Sequence, residues 1–213
     1  MHSRAPDRQL RYIQVARELF LEHGYAHVSM QMIASAAGGS KATLYSYFPS
    51  KAGIFRAFVL KTGEEKFSRL IDTPVNVHQN VGQTLHSMAD AYLALACDPT
   101  IWQLNQLVIA EGQREPQLTR LYRNLTHVRT LNTLAWTFER LISLEAIRNA
   151  DPHVLARHFK ALLDCAALDQ QFLHTDVSAQ AHLQQTIRET VRAFLFGYQP
   201  ATTLEKEWDE IGL

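Results

Sequence analysis

Cysteine is nearly absent: 213 residues hold only Cys97 and Cys165, with no CxxC pair. A disulfide-stapled fold is thereby excluded, and both residues read as reduced, buried thiols. Long hydrophobic runs are missing too. No apolar stretch approaches the roughly 18 residues that a membrane span requires, and the N-terminus is polar and charged, unlike a signal peptide. The expectation is a cytoplasmic protein with no membrane partner. Proline and glycine are sparse, at seven and nine residues, and act as punctuation between longer segments. No segment alternates apolar and polar residues at strand period, and there is no repeat or low-complexity run. With 46% hydrophobic residues a sizeable core is available. The expected fold class is all-α, with about nine helices.

Catalytic signatures are also missing. There is no GxSxG, Walker loop, HExxH or GxGxxG, so neither an enzyme nor a cofactor is expected. Ten histidines raise the question of a metal. His23 and His27 are separated by helix-breaking Gly24, and His153 and His158, five apart, point to different faces. With no carboxylate or thiol at ligand spacing beside them, no metal site is expected.

What is present centres on Ser29 to Lys51, which reads as two short helices joined by a tight turn. Ser29 and Ser40 are good N-caps, since a hydroxyl accepts an orphan N–H of the first turn. Met30, Ile33, Ala34 and Ala37 recur at helical spacing. Gly38-Gly39 stops the first helix, because glycine enters left-handed space without steric penalty. Leu44, Tyr47 and Phe48 recur on the second helix at spacings of three and four, with Leu44 facing the shared core, Pro49 ends it, and Ser50 caps the next. Ala34 is small enough for a close helix crossing. The outer face is Lys41, Ala42, Thr43, Tyr45, Ser46 and Tyr47, short or polar side chains able to reach base edges and phosphates. Two readings stand on spacing alone: a helix-turn-helix whose second helix enters the major groove, or a plain helical hairpin whose aromatics are core.

Charge leans toward the first. Net charge is zero, yet residues 1–56 carry seven Lys/Arg against three acids, and the remainder carries 14 against 18. A basic head on an acidic body suits a polyanion-binding domain attached to something else, although the asymmetry is modest.

The run Ile33-Ala34…Ala36-Ala37-Gly38…Ser40-Lys41…Thr43-Leu44-Tyr45…Tyr47-Phe48…Ser50-Lys51 resembles the DNA-binding signature of the TetR/AcrR family of bacterial transcriptional regulators. Ala16-Arg17-Glu18-Leu19-Phe20…Gly24-Tyr25 resembles that family's first helix, so the likeness covers about residues 8–58. One departure is Gly39, where the family usually has valine. Losing that side chain is expected to loosen the turn slightly. The resemblance implies DNA-contact roles: Thr43 and Tyr45 at bases or backbone, Lys41 at base or phosphate, Tyr47 and Lys51 at phosphates, Ser29, Gln31 and Ser40 at the backbone, with Ser46 on the same face.

Further along, helices are expected over 7–23, with Leu10, Ile13, Ala16, Leu19 and Phe20 on the inward face, 51–70, 76–96, from Asp98-Pro99 to near Gly112, from Pro116 to Ile142 as one long helix, from Asp151-Pro152, with Leu155, Phe159, Leu162 and Leu163 inward, and from Ser178 to Gly197, with a helical turn near Leu204–Trp208. Residues 1–6 read as a disordered arm. Thr73-Pro74 is a break. The expected division is a helix-turn-helix domain over 1–52, a connecting helix over about 51–70, and a larger effector-binding and dimerisation domain over 53–213. Within the latter, polar groups interrupt apolar faces. Tyr92, Trp102, Asn105, Gln106, Asn132, Trp136 and Phe159 form the candidate lining of a small-molecule site; the competing reading makes the tryptophans plain core. Asp164 and Asp169 are either part of that site or satisfied at solvent or at a dimer seam.

The run Ile109-Ala110-Glu111-Gly112…Glu115-Pro116…Leu118 resembles the larger domain of AcrR-like regulators. The resemblance implies a homodimer paired through helices at about 152–174 and 178–197, with Ala161, Ala166 and Ala167 permitting close approach. It also implies a ligand-responsive regulator, a repressor released from a near-palindromic double-stranded DNA operator by an apolar or amphipathic effector.

Overall fold

Side-chain caps and two glycines divide the N-terminal third into short helices. The computed structural model describes residues 4–66, 70, 80–173 and 178–198. Among the described residues there are ten α-helices and no strand: α1 (Arg4–His23), α2 (Met30–Ala36), α3 (Lys41–Tyr47), α4 (Lys51–Lys66), α5 (Val81–Ala96), α6 (Pro99–Glu111), α7 (Pro116–Leu125), α8 (His127–Ser143), α9 (Pro152–Leu173) and α10 (Ser178–Tyr198). The all-α expectation holds.

Where the helices start and stop follows local chemistry. Ser29 accepts from the Met32 amide, Ser40 from Thr43, Ser50 from Gly53, and Asp98 from Thr100 and Ile101. Asn80 caps α5 by accepting from the Gln83 amide at 2.8 Å. Gly24 and Gly38 lie at φ 81° and 69°, where a side chain would clash.

Three expectations need correction. The arm predicted over residues 1–6 is helical from Arg4, which places Asp7 in the first turn, where a carboxylate is favoured by the helix dipole. Leu10, expected inward, is 45% exposed; the buried stripe of α1 is Tyr12, Ala16 and Phe20 at four-residue spacing. The long helix predicted from Pro116 is two helices. Thr126 leaves helical space at φ −120° and ψ −70°, and its hydroxyl donates to the Tyr122 carbonyl at 2.8 Å, competing with the backbone ladder. The Thr73-Pro74 break, residues 76–79, the 174–177 junction and the turn near Leu204–Trp208 lie outside the described residues.

The helices group into two compact units: Met1–Phe67 with Asp98–Val128, and Ser68–Cys97 with Arg129–Leu213. This grouping by packing differs from the functional boundary read at 52/53, because α6 and α7 pack with the head. The first unit centres on Phe20, Tyr25, Phe55 and Phe58, whose rings meet at 5.3 to 5.9 Å. Around them pack Ile33, Ala34, Leu44, Ile54 and Leu104, each fully buried. Such burial is worth about 25 cal/mol per Å² of apolar surface, and it is what holds two seven-residue helices that would not persist alone.

The second unit is built on α5, α9 and α10, with α8 joined through aromatic rings. Phe138, Phe159 and Phe194 pack pairwise at 5.0 to 5.7 Å, and Phe194 meets Tyr198 at 4.7 Å. Ala166 and Ala167 are buried within the chain, while Ala161 and Cys165 are exposed. Leu162, read as inward, is 42% exposed.

Candidate nucleic-acid interface

The first unit presents α3 on a packed bed. Ile33 and Ala34 of α2 and Leu44 of α3 are 0% exposed, and Ala37 is 7% exposed. These residues fix the crossing and leave the opposite face of α3 to solvent. Lys41, Ala42 and Ser46 are exposed there, Tyr45 is 44% exposed, and Thr43 is half-buried. The Lys41 ammonium lies 5.8 Å from the Tyr45 ring centroid, a loose cation–π approach. The hydroxyls are satisfied locally. Ser40 Oγ and Thr43 Oγ1 are 2.8 Å apart, and Ser46 donates to the Thr43 carbonyl at 2.7 Å. Gln31 on α2 donates to Ser35 at 3.2 Å.

Two of the expected contact residues face partly elsewhere. Tyr47 is half-buried, its ring 5.9 Å from that of Tyr12. Lys51, at the first position of α4, donates to the Tyr25 carbonyl at 2.7 Å and to the Ala26 carbonyl at 3.3 Å. Its ammonium also sits 4.3 Å from the Tyr25 ring centroid. Burial pulls this lysine below its usual value, while Glu115 and Glu111 pull the other way. Burial, with Glu115 adding to it, pushes the Tyr25 phenol up to about 12.

The loop that Lys51 grips is gripped from a second side by Glu111. This carboxylate is 7% exposed, accepts from the Ala26 amide at 3.3 Å through Oε1, and leaves Oε2 buried with no partner among the described residues. Its role in holding the loop was not read from the sequence. The signal was its place four residues after Leu107 on the inward face of α6. Tyr12 was also missed, although it stands four residues before Ala16 on the buried stripe. Beside it lies a cleft of about 300 Å³ lined by Asp7, Arg8, Arg11, Tyr12 and the Ala37-Gly38-Gly39 turn.

The candidate effector residues divide between the units. Trp102, Asn105 and Gln106 belong to the first. Trp102 is half-buried, Gln106 is exposed, and Asn105 accepts from the Tyr122 hydroxyl at 2.5 Å. Tyr92, Asn132, Trp136 and Phe159 belong to the second. Tyr92 is 4% exposed and donates to Asp164, whose carboxylate also takes two bonds from Lys160 at 2.9 and 2.7 Å. Phe159 sits in the aromatic core, Asn132 is exposed, and Trp136 is 55% exposed. Asp169 is exposed. No group of three or more His, Cys, Asp or Glu able to hold a metal ion occurs among the described residues, and no helix there is long and apolar enough to cross a membrane.

A two-helix motif crossing at a buried alanine, with a polar outward face and a larger helical body, defines a helix-turn-helix transcriptional regulator. Residues 13–58 match the family described as bacterial regulatory proteins, tetR family. Residues 83–200, more than half of the chain, match the AefR-like transcriptional repressor C-terminal domain. The chain belongs to the TetR family of bacterial transcriptional regulators, which are not enzymes.

Solved relatives agree along nearly the whole chain. The flavonoid-responsive regulator FrrA is 29% identical with a TM-score of 0.82, over 93% of this chain and 100% of that one. A TetR-family regulator from Mesorhizobium loti is 28% identical with a TM-score of 0.78, over the same shares. The HTH-type transcriptional regulator UidR of Escherichia coli K12 is 27% identical over 125 residues, 58% of this chain and 61% of UidR. The matched stretch thus spans under two thirds of that curated relative.

Proposed function

We propose that this regulator binds a near-palindromic double-stranded DNA operator as a homodimer, represses from it, and is released by a small molecule. The observation that carries the reading is the outward face of α3, where Lys41, Thr43, Tyr45 and Ser46 stand on a helix whose inner face is buried. Residues 1–52 form the reading head. Residues 53–213 form the effector-binding and dimerisation part, and the helix from Lys51 is the covalent link between them. Thr43 and Tyr45 meet base edges or backbone. Lys41 meets a base or a phosphate, Tyr47 and Lys51 meet phosphates, and Ser29, Gln31 and Ser40 hold the flanking backbone. Repression is supported by the match to a repressor C-terminal domain.

Pairing runs through α9 and α10, near 152–174 and 178–197. Leu162, Leu168 and Phe196 support it, being large apolar side chains 42%, 45% and 74% exposed. Two recognition helices then stand about 34 Å apart, one turn of DNA. The effector is apolar or amphipathic, with Tyr92, Asn132, Trp136 and Phe159 of the second unit as candidate contacts. FrrA is flavonoid-responsive, which brings planar phenolic compounds into the class to be screened. A ligand that prefers the released state disfavours the DNA-bound one by its difference in affinity. The setting is cytoplasmic.

The test is selection of bound sequences from a random DNA pool by the purified chain across a salt series. A two-fold symmetric site, with affinity falling steeply as salt rises, is the expected result. No enrichment at any salt, from a sample free of bound small molecule by mass spectrometry, overturns the reading. Thr43→Ala is expected to change the selected bases, with a loss of about 1–3 kcal/mol of discrimination at one position of each half-site. An unchanged motif removes Thr43 from base contact.

A further inference from the structure

Gly38 and Gly39 stand side by side in the turn, yet only one is required by its backbone. Gly38 lies at φ 69°, while Gly39 has no positive φ and could hold any side chain as far as the chain path is concerned. Space forbids it. A Cβ built at Gly39 falls 2.1 Å from the Tyr12 hydroxyl oxygen, 3.1 Å from Cζ and 3.4 Å from Cε1. The tyrosine is 1% exposed and its ring lies against that of Tyr47, so to make room it would have to turn toward the cleft it shares with Asp7, Arg8 and Arg11. Its hydroxyl is buried with no hydrogen-bond partner among the described residues, so the oxygen sits there without a bond to justify it. The place of a side chain is taken by a phenol from α1.

We propose that Tyr12 is a positioning residue for the recognition helix, filling the space that a side chain at Gly39 would occupy and so setting how α3 lies against α1. The Gly39 amide donates to Ala34 O at 2.9 Å, and the next residue, Ser40, caps α3. A side chain that pushed the turn away from Tyr12 would move the first residues of α3, which include Lys41 and Thr43. A shift there changes base reading more than it changes phosphate attraction, because base contacts demand alignment and phosphate contacts tolerate its loss. The proposal rests on the DNA-reading role of α3.

The geometry separates the oxygen from the ring. With the hydroxyl removed, the nearest ring atom to an alanine methyl is at 3.1 Å, a tight contact that a few tenths of an ångström relieve. Gly39→Ala alone is expected to reduce the ratio of operator to random-DNA affinity by about tenfold or more, with the protein still folded by circular dichroism. Tyr12→Phe alone empties the hydroxyl's space without refilling it and is expected to lower the ratio by about threefold, less than Gly39→Ala does. Tyr12→Phe with Gly39→Ala is expected to recover most of what Gly39→Ala loses, in the ratio and in the melting temperature together.

The wild type's selected site is determined first. If wild type selects a site and Gly39→Ala keeps the same ratio, this inference is overturned and the regulator reading stands. If Gly39→Ala lowers the ratio and Tyr12→Phe fails to restore it, the inference is also overturned, since the hydroxyl is then not the obstacle. If Gly39→Ala does not fold, the double variant decides: recovery of folding and of the ratio supports the coupling, and failure of both overturns it. If wild type selects nothing, the regulator reading falls and this inference with it.

Discussion

The head and the second unit start helices alike, on side-chain caps such as Ser29 and Ser40 in one and Asn80 and Asp151 in the other, and differ in how they end them. Within the head, the short connections use residues whose chemistry suits a helix end. Serine stands at the starts of α2 and α3, and glycine at both positive-φ positions, Gly24 and Gly38. The second unit contains the one positive-φ residue that is not glycine among the described residues, Glu145 at φ 54°. There the chain leaves α8 by bonds from the Glu145 amide to Ile142 O at 2.9 Å and from the Ala146 amide to Leu141 O at 3.0 Å. Helices of 16 to 22 residues and a cluster of phenylalanines hold that strained exit in place. Helices of seven residues have no such reserve. Short elements depend on correct end chemistry, while long ones can carry a poor residue at an end because burial outweighs it.

The comparison breaks most visibly at Phe159. It is 0% exposed between Phe138 and Phe194, and Phe159→Ala is expected to lower stability by about 3–5 kcal/mol in thermal or denaturant unfolding. A loss near zero would mean that burial is not what carries the second unit. Next is Gly24→Ala. It places an L-residue at φ 81° and a methyl 2.8 Å from the Glu111 carboxylate, at an expected loss of about 2 kcal/mol. Ser40→Ala removes the acceptor for the Thr43 amide, and is expected to cost about 1 kcal/mol, read from the urea midpoint. The smallest effect has the opposite sign. Glu145→Gly is expected to stabilise the chain by about 0.5–1 kcal/mol by relieving a left-handed side chain. If it destabilised, the Glu145 side chain would be holding something that its backbone conformation conceals.

Much of the head was legible because its information is local. Ser29, Ser40, Ser50 and Asp98 act on amides two or three residues away, and Gly24 and Gly38 act on their own dihedrals. The face of α3 follows from Leu44 by counting. What was illegible depends on which helix lies opposite. Tyr12 is one more aromatic on a charged helix until Gly39 is brought against it. Glu111 counts as inward from its spacing, but only the fold supplies the Ala26 amide it accepts. Thr126 interrupts an apolar period that runs unbroken from α7 into α8, so the count sees one helix. The effector candidates expose the same limit. Helical spacing tells which residues share a side of one helix, not which helices share a compact unit, and Asn105 is taken by Tyr122 within the first.

Lys51 carries a consequence for the entropy of association. An exposed lysine such as Lys41 carries about 2 kcal/mol of rotamer entropy, much of which is lost when an anion arrests it. The Lys51 ammonium is already arrested by two carbonyls and the Tyr25 ring. An anion arriving at its remaining N–H therefore meets a group with little motion left to give up. Under the proposed phosphate contacts, calorimetry on charge-removing variants is expected to separate the two cases: an entropic penalty for the Lys41 contribution, and almost none for Lys51, its ordering having been completed when the chain folded.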